Sequence, residues 1–195
     1  METIIFLHIP KTAGTTFGKI IKYNYGLGSI YNRYFKKNRF TYINLPDVEF
    51  TRNGSISNDI EFLKTIPSNQ LQKTKIIRGH MHFGIDEYLP QKSTYITLLR
   101  DPIQRVISLY NFIIDREDHL HHKSLTENDM SLKEFVESKI TTEIDNAQTR
   151  LFAGNYSHVK YGCCTREMLE KAKDNLLNRF AVVLCHPALI FFYCQ

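Results

Sequence analysis

Apolar and polar positions along the chain shift between a period of two and a period near 3.6, and the shifts mark out strands and helices in turn. Ile4–His8 is a short apolar run closed by Pro10, the pattern of a buried strand. Thr15–Tyr25 then places Phe17, Ile20 and Ile21 at helical spacing, with Lys19 and Lys22 facing away. Residues 26–58 are rich in Asn, Tyr, Arg and Gly and weakly periodic, and read as a long irregular excursion with one strand near "FTYINL". A short helix is expected over Asp59–Ile66, and "KIIRGH" (75–80) and "TYITLL" (94–99) read as a second and a third buried strand. Pro102 suits the first turn of a helix in which Ile103, Val106, Ile107, Tyr110 and Ile114 form an apolar stripe. Gln104, Arg105, Ser108, Asn111 and Asp115 fall opposite it. A polar loop over 116–130 follows, then helices over 131–138, 142–152 and 165–178, and a fourth strand, "RFAVVL" (179–184). Strands alternating with helices predict an α/β fold: one domain with a central parallel sheet flanked by helices.

Composition narrows the partners. The chain has 195 residues, 43% of them hydrophobic, enough for one domain with a real core. Its 25 basic residues against 20 acidic ones give a net charge of +5, which favours an anionic partner such as a nucleotide or an acidic or sulfated glycan. Nucleic acid is not expected, because the basic residues are scattered and no run exceeds Lys36–Lys37. Cys163, Cys164, Cys185 and Cys194 form neither a disulfide framework nor a CxxC metal pattern, so reduced thiols in a reducing compartment are expected. Met1 leads straight into strand-like text with no signal-peptide pattern. The apolar tail "ALIFFYC" is far shorter than the ~20 residues of a membrane span, so a soluble protein is expected.

The chemistry begins in "HIPKTAGTTF" (8–17), where a buried strand gives way to a loop and then a helix. A helix N-terminus at the carboxyl edge of a parallel sheet offers unpaired N–H groups and partial positive charge, and so attracts phosphate. Lys11 adds a full charge, Gly14 permits close approach of the backbone, and the Thr15 and Thr16 hydroxyls can donate hydrogen bonds. The stretch is not a Walker A motif, because Lys11 precedes Gly14 by three residues and "KT" (Lys11, Thr12) lacks the preceding glycines. An ordinary strand–loop–helix turn with Thr15 as N-cap is the plain alternative. "LLRDPIQRVISLYNF" (98–112) repeats the logic at another strand end, where Arg100, Arg105 and Ser108 could hold a second phosphate. Its plain alternative is a surface pair of Arg100 or Arg105 with Asp101.

These two segments, in this order and separation, resemble the nucleotide-binding motifs of the sulfotransferases that use 3′-phosphoadenosine 5′-phosphosulfate. Within these the chain is similar to the group containing the heparan sulfate 2-O-sulfotransferases and related bacterial proteins, thinly over about residues 3–183. The resemblance implies a P-loop-NTPase-like sulfotransferase fold, the phosphosulfate as co-substrate, a carbohydrate or other hydroxyl acceptor, and no metal. It implies that Lys11 steadies the oxygen bridging sulfate and phosphate, and that Thr12, Gly14, Thr15 and Thr16 belong to the 5′-phosphate grip. Arg100 and Ser108 are implied for the 3′-phosphate. "RGHMHFG" (78–84) stands where the family keeps its general base, matched by His80, with His82 a weaker candidate for orienting substrate. A His-x-His metal site or a structural histidine are the rival readings.

"NAQTRLFAG" (146–154) also resembles a family segment near the site, so Asn146, Gln148 and Arg150 are candidates to touch donor or acceptor, Arg150 alternatively being a solvent-facing charge. The cluster His119-Leu120-His121-His122 reads as part of a solvated loop rather than a metal site, and the aromatic and basic residues of 23–42 read equally as an acceptor surface or as ordinary packing under a long loop. Animal members of the family are Golgi membrane proteins; the anchor pattern missing here points to a cytoplasmic form. Residues 1–183 read as the sulfotransferase domain, and 184–195, "LCHPALIFFYCQ", as an atypical apolar tail where the family continues into further helices, the mark expected of a frameshift or truncation near Val183. The readings competing with an enzyme of this kind are a P-loop kinase or NTPase and a nucleotide-binding domain without turnover.

Overall fold

The middle of the sheet is built from apolar runs that are largely buried. The structure, a computed structural model, describes residues 2–24, 47–50, 63–154 and 158–186. In chain order the elements are β1 (Thr3–Leu7), α1 (Gly14–Asn24), β2 (Asp47–Phe50), α2 (Ser68–Leu71), β3 (Ile76–Gly79), β4 (Ser93–Arg100), α3 (Pro102–Ile114), α4 (His122–Thr126), α5 (Leu132–Glu137), α6 (Ala147–Ala153), α7 (Arg166–Arg179) and β5 (Phe180–His186), with short 3-10 turns at Ile85–Tyr88 and Thr142–Ile144. The strands form one five-stranded sheet in the order β2-β3-β1-β4-β5, and every pairing is parallel. This is an α/β fold with a central parallel sheet flanked by helices.

Each face of β1 has its own core. Ile5 and Leu7 pack with Ile77, Met81, Tyr95, Phe152, Met168 and Phe180 on the side of α6 and α7. Phe6 packs with Ile76, Leu98, Ile21 and Phe17 on the side of α1. Burial on both faces is why the strands read as unbroken apolar runs rather than as alternations. Ile21 is buried where α1 meets the sheet, a contribution of about 2 kcal/mol. Ile20, one residue before it, is half-exposed.

The order of the strands makes a crevice. From β1 the chain passes toward β2 on one side of the sheet, whereas from β4 it passes toward β5 on the other. Neighbouring parallel strands whose connections diverge leave an opening beyond their carboxyl ends, and ligands bind in such openings. The buried Thr97 hydroxyl closes its base by donating to the Leu7 carbonyl at 2.7 Å, tying β4 to the last residue of β1.

Five expectations change. Residues 47–50, read as part of an irregular excursion, form β2. In α3 the buried line is Arg105, Leu109 and Ile113, spaced four residues apart, and not the stripe begun by Ile103, which is 70% exposed. Leu109 and Ile113 meet Leu125 and Phe135 in a small satellite core, with Val106 and Tyr110 at its margin. The stretch 116–130 contains α4 and is not wholly loop. The segment 142–152 divides into the turn Thr142–Ile144 and α6, interrupted by Asn146 at φ 52°. The fourth expected strand extends to His186, so Leu184 and Cys185 pair in register with Leu98 and Leu99.

"FTYINL", most of the aromatic region 23–42 and residues 187–195 of the tail lie outside the described residues. Among the described residues, Cys163, Cys164 and Cys185 are free thiols, and no helix is long and apolar enough to cross a membrane.

Candidate functional site

Three adjacent strands, β3, β1 and β4, end at one edge of the sheet, and the residue beyond each ending carries chemistry. His8 follows β1, His80 follows β3, and Arg100 is the last residue of β4. The His8 N–H donates to the Gly79 carbonyl at 2.9 Å, so the first two strands remain joined where their loops depart. Beyond this edge lies a cleft of about 350 Å³ whose wall includes His8, Lys11, Gly14, Thr15, His80, Arg100, Ser108 and Phe112. It therefore brings together Lys11, Gly14, Thr15, His80, Arg100 and Ser108, six of the residues singled out in the sequence.

The loop between β1 and α1 is held in an uncommon conformation. Lys11 and Ala13 both have positive φ, 69° and 67°. Side-chain-bearing residues in that region carry roughly 1–2 kcal/mol of strain each. Residues of this kind are the building blocks of backbone nests that turn N–H groups toward an anion. The Thr12 hydroxyl braces the loop from within, donating to the Ile9 carbonyl at 2.8 Å, and its side chain is fully buried. Thr12 thus faces the fold rather than the cleft, and Thr16 is exposed outside the cleft wall. Gly14 opens α1, so its N–H and that of Thr15 have no partner within the helix.

Gly14 is required by a neighbour within the protein. A Cβ at this position would stand 2.0 Å from Cδ2 of His8. The His8 ring fills that space, stacked on Phe6 at 5.5 Å between centroids and tilted against His80 at 4.4 Å. Burial first, then the nearby His80 and Arg78, push the His8 pKa down to about 3, so the ring is neutral at physiological pH.

His8 also sets the tautomer of His80. His80 Nδ1 lies 2.8 Å from the His8 carbonyl oxygen. A carbonyl only accepts, so Nδ1 carries the hydrogen, which in the neutral ring leaves the lone pair on Nε2. An imidazole in this state, lining a cleft, is equipped to take a proton at Nε2. His82, two residues on, does not line the cleft.

Arg100 links the two motifs. Its guanidinium donates from Nη1 to the Lys11 carbonyl at 3.1 Å, and its buried Nε makes no hydrogen bond. Gln148 grips the Arg100 backbone from behind, accepting from its N–H at 3.1 Å and donating to its carbonyl at 2.9 Å. Asp101 caps α3 by accepting from the Gln104 N–H at 2.9 Å. Arg105, expected on the polar face, is buried and donates to the Glu143 carbonyl; burial lowers its pKa to about 10. Glu143 itself lines the cleft.

Lys11 Nζ rests 3.9 Å from the centroid of the Phe112 ring. Burial, then the neighbouring cations Arg100 and Arg116, hold its pKa below the usual lysine value, with Asp115 opposing. A phosphate suits this setting: two cations side by side, a buried guanidinium nitrogen without a partner, and a helix N-terminus.

The segment 146–154 plays a different part. Arg150 is buried, neither in the cleft nor in solvent: its Nε donates to the Asp145 carbonyl, Nη1 to the Val159 carbonyl, and Nη2 to the Lys160 carbonyl and the Asp145 carboxylate. The Asn146 side chain donates to Asp145 Oδ1 at 3.0 Å, again away from the cleft wall. In the histidine cluster, His122 Nδ1 donates to the Ile113 carbonyl at 2.9 Å, and the His119 ring meets Phe112 edge-on. Among the described residues, no group of three or more His, Cys, Asp or Glu side chains converges as a metal site would require.

The wall residues that the sequence reading passed over are the His8 ring, Phe112 and Glu143. Phe112 could have been found, since it follows Ser108 by four residues and so shares its helix face.

Comparison with known proteins agrees with this architecture. The model of the sulfotransferase family matches residues 1–192. Heparan sulfate 2-O-sulfotransferase 1 of Gallus gallus is 28% identical over 195 residues, spanning 92% of this chain and 49% of the relative. The Homo sapiens protein of the same name is 27% identical over the same span, and heparan sulfate 2-O-sulfotransferase hst-2 of Caenorhabditis elegans is 24% identical over 189 residues. The chain spans about half the length of the curated relatives it matches.

Proposed function

The chain belongs to the sulfotransferase family, and from that premise we propose that it moves a sulfuryl group from 3′-phosphoadenosine 5′-phosphosulfate to a hydroxyl of a carbohydrate. One observation carries the proposal: a single cleft joins the Lys11 loop, the Arg100–Ser108 motif and the His80 imidazole. The names of the relatives, heparan sulfate 2-O-sulfotransferases, support a glycan acceptor.

The donor supplies a sulfuryl group on an adenosine phosphate that leaves as a stable anion. The residues of this chain do the rest. Backbone N–H groups at the start of α1 and the Thr15 hydroxyl receive the 5′-phosphate, while Arg100 and Ser108 receive the 3′-phosphate. Lys11 faces the oxygen that gains charge as the bond to sulfur breaks, and such preorganised charge is worth about 10²–10³ in rate. His80 Nε2 takes the proton of the acceptor hydroxyl, its Nδ1–H kept in place by the His8 carbonyl. Thr12 serves the loop from inside, and Arg150 and Asn146 both bind Asp145, away from the cleft.

Calorimetric titration with 3′,5′-diphosphoadenosine, set against ATP, tests the donor half. Tight binding of the bisphosphate and weak binding of ATP is the expected outcome; the reverse would overturn the proposal in favour of a kinase or NTPase. Transfer of labelled sulfate to a panel of glycans tests the acceptor half. Donor binding with no transfer to any glycan would reduce the protein to a nucleotide-binding domain. The Lys11→Ala variant should lose orders of magnitude in turnover, about 10² or more, and keep its affinity for the bisphosphate within a fewfold.

A further inference from the structure

We infer that Phe112 is the positioning residue for Lys11, holding the ammonium over its ring so that the charge is aimed into the cleft without being neutralised. The inference rests on the role proposed for Lys11 above.

Both ends of Lys11 are anchored, by different means. Its carbonyl accepts from Arg100 Nη1 at 3.1 Å, and its Nζ lies 3.9 Å from the Phe112 centroid. Between those ends the side chain has four rotatable bonds, so the lower anchor alone does not place the ammonium. The ring face, electron-rich by its quadrupole, does so. The ring in turn is flanked by the His119 ring, which meets it at 84°, and by the Arg116 guanidinium 5.5 Å from its centroid.

The groups facing Lys11 show why a ring serves better than a carboxylate. Arg100 and Arg116 repel the ammonium, and Asp115 attracts it. Paired with Asp115, Lys11 would carry little net field toward a phosphate. An aromatic face attracts the cation yet has no net charge to cancel it, so the full charge remains for the leaving oxygen. Ser108 and Phe112 lie four residues apart on α3 and both line the cleft. One rigid helix therefore presents the hydroxyl proposed for one phosphate and the ring that places the lysine proposed for the other.

The experiment compares Phe112→Leu and Phe112→Tyr with the unmodified protein by three readouts. These are turnover at saturating donor, affinity for 3′,5′-diphosphoadenosine, and the resonance of isotope-labelled dimethyl groups on Lys11, assigned by its loss in Lys11→Arg. In Phe112→Leu, turnover should fall about tenfold while affinity for the bisphosphate stays within about twofold. Phe112→Tyr, which keeps the ring face, should restore turnover. The Lys11 methyl signal should be shifted upfield by the ring in the unmodified protein and in Phe112→Tyr, and should move downfield in Phe112→Leu.

Unchanged turnover in Phe112→Leu, equal losses of turnover and affinity, failure of the tyrosine to restore activity, or a methyl signal indifferent to the substitution would each overturn the inference. If Phe112→Leu does not fold, Phe112→Met takes its place with the same expectations. The methyl signal reads the pairing in the resting protein. Absence of bisphosphate binding in the unmodified protein would therefore refute the sulfotransfer reading, while the signal still decides whether Phe112 holds Lys11.

Discussion

His8 should make this protein lose stability on mild acidification, by an amount that follows from its surroundings. In the folded state its pKa is held near 3, below the ordinary imidazole value of 6.5, chiefly because the ring is removed from water and then because His80 and Arg78 lie close by. Between those two values the unfolded chain takes up a proton that the folded chain refuses, so lowering the pH favours unfolding. The contribution is complete above the unfolded pKa, declines as the pH falls from 6.5 toward 3, and declines no further below that. Full protonation of the unfolded residue costs the fold about 1.4 kcal/mol per pH unit, and integrating from about pH 7.5 to about pH 5 gives about 2 kcal/mol.

Urea unfolding at a series of pH values, for the unmodified protein and for His8→Phe, isolates this term. The phenyl ring keeps the stacking on Phe6, and the backbone carbonyl that holds His80 is untouched. Any constant offset in stability from the new ring is immaterial, because only the pH slope is compared. On going from about pH 7.5 to about pH 5 the unmodified protein should lose about 2 kcal/mol more stability than His8→Phe. Curves that run parallel across this interval would refute the claim that the fold keeps His8 neutral.

Other perturbations separate the binding groups from their supports. Gly14→Ala drives a methyl to within 2.0 Å of the His8 ring, so folding yield and turnover should both fall, and adding His8→Ala to the same chain should recover part of the yield. Arg150→Leu leaves the Asp145 carboxylate buried without its cation and should cost about 3–5 kcal/mol of stability in urea, while bisphosphate affinity per folded molecule is unchanged. Gln148→Ala releases the two hydrogen bonds on the Arg100 backbone; calorimetry should show bisphosphate affinity reduced about tenfold, with Tm nearly constant.

β1, β3 and β4 were legible because they are largely buried apolar runs, whereas β2, with the text "DVEF", was not. Runs such as "TIIFL" and "TYITLL" admit few polar residues, and their ends fall where Pro10 and Pro102 interrupt the pattern. Much of the cleft wall was legible as well, since Lys11, Gly14 and Thr15 stand together in the chain, as do Arg100 and Ser108. The inner face of α3 was not. A hydrophobic count ranks Ile103 above Arg105, but the helix buries the arginine, because its guanidinium supports the Glu143 carbonyl and its stem packs inward. Arg150 misled in the same manner: a charge on a helix reads as solvated or functional, and only the three-dimensional contacts show it bound to Asp145, Val159 and Lys160. The roles of His8 and Gly14 were hidden for another reason. A pressure on Gly14 comes from an imidazole six residues earlier, and spacing along a chain carries no record of such a collision.

The central place of β1 has a consequence for how the molecule is made. Its neighbours in the sheet both emerge later from the ribosome, and Thr3 meets its partner Ser93 only after some ninety further residues have been synthesised. The Lys11 turn and Arg100 come into register only through that pairing, so the cleft they share is assembled late and all at once. A ligand of that cleft would stabilise only those molecules that had finished placing β4 beside β1.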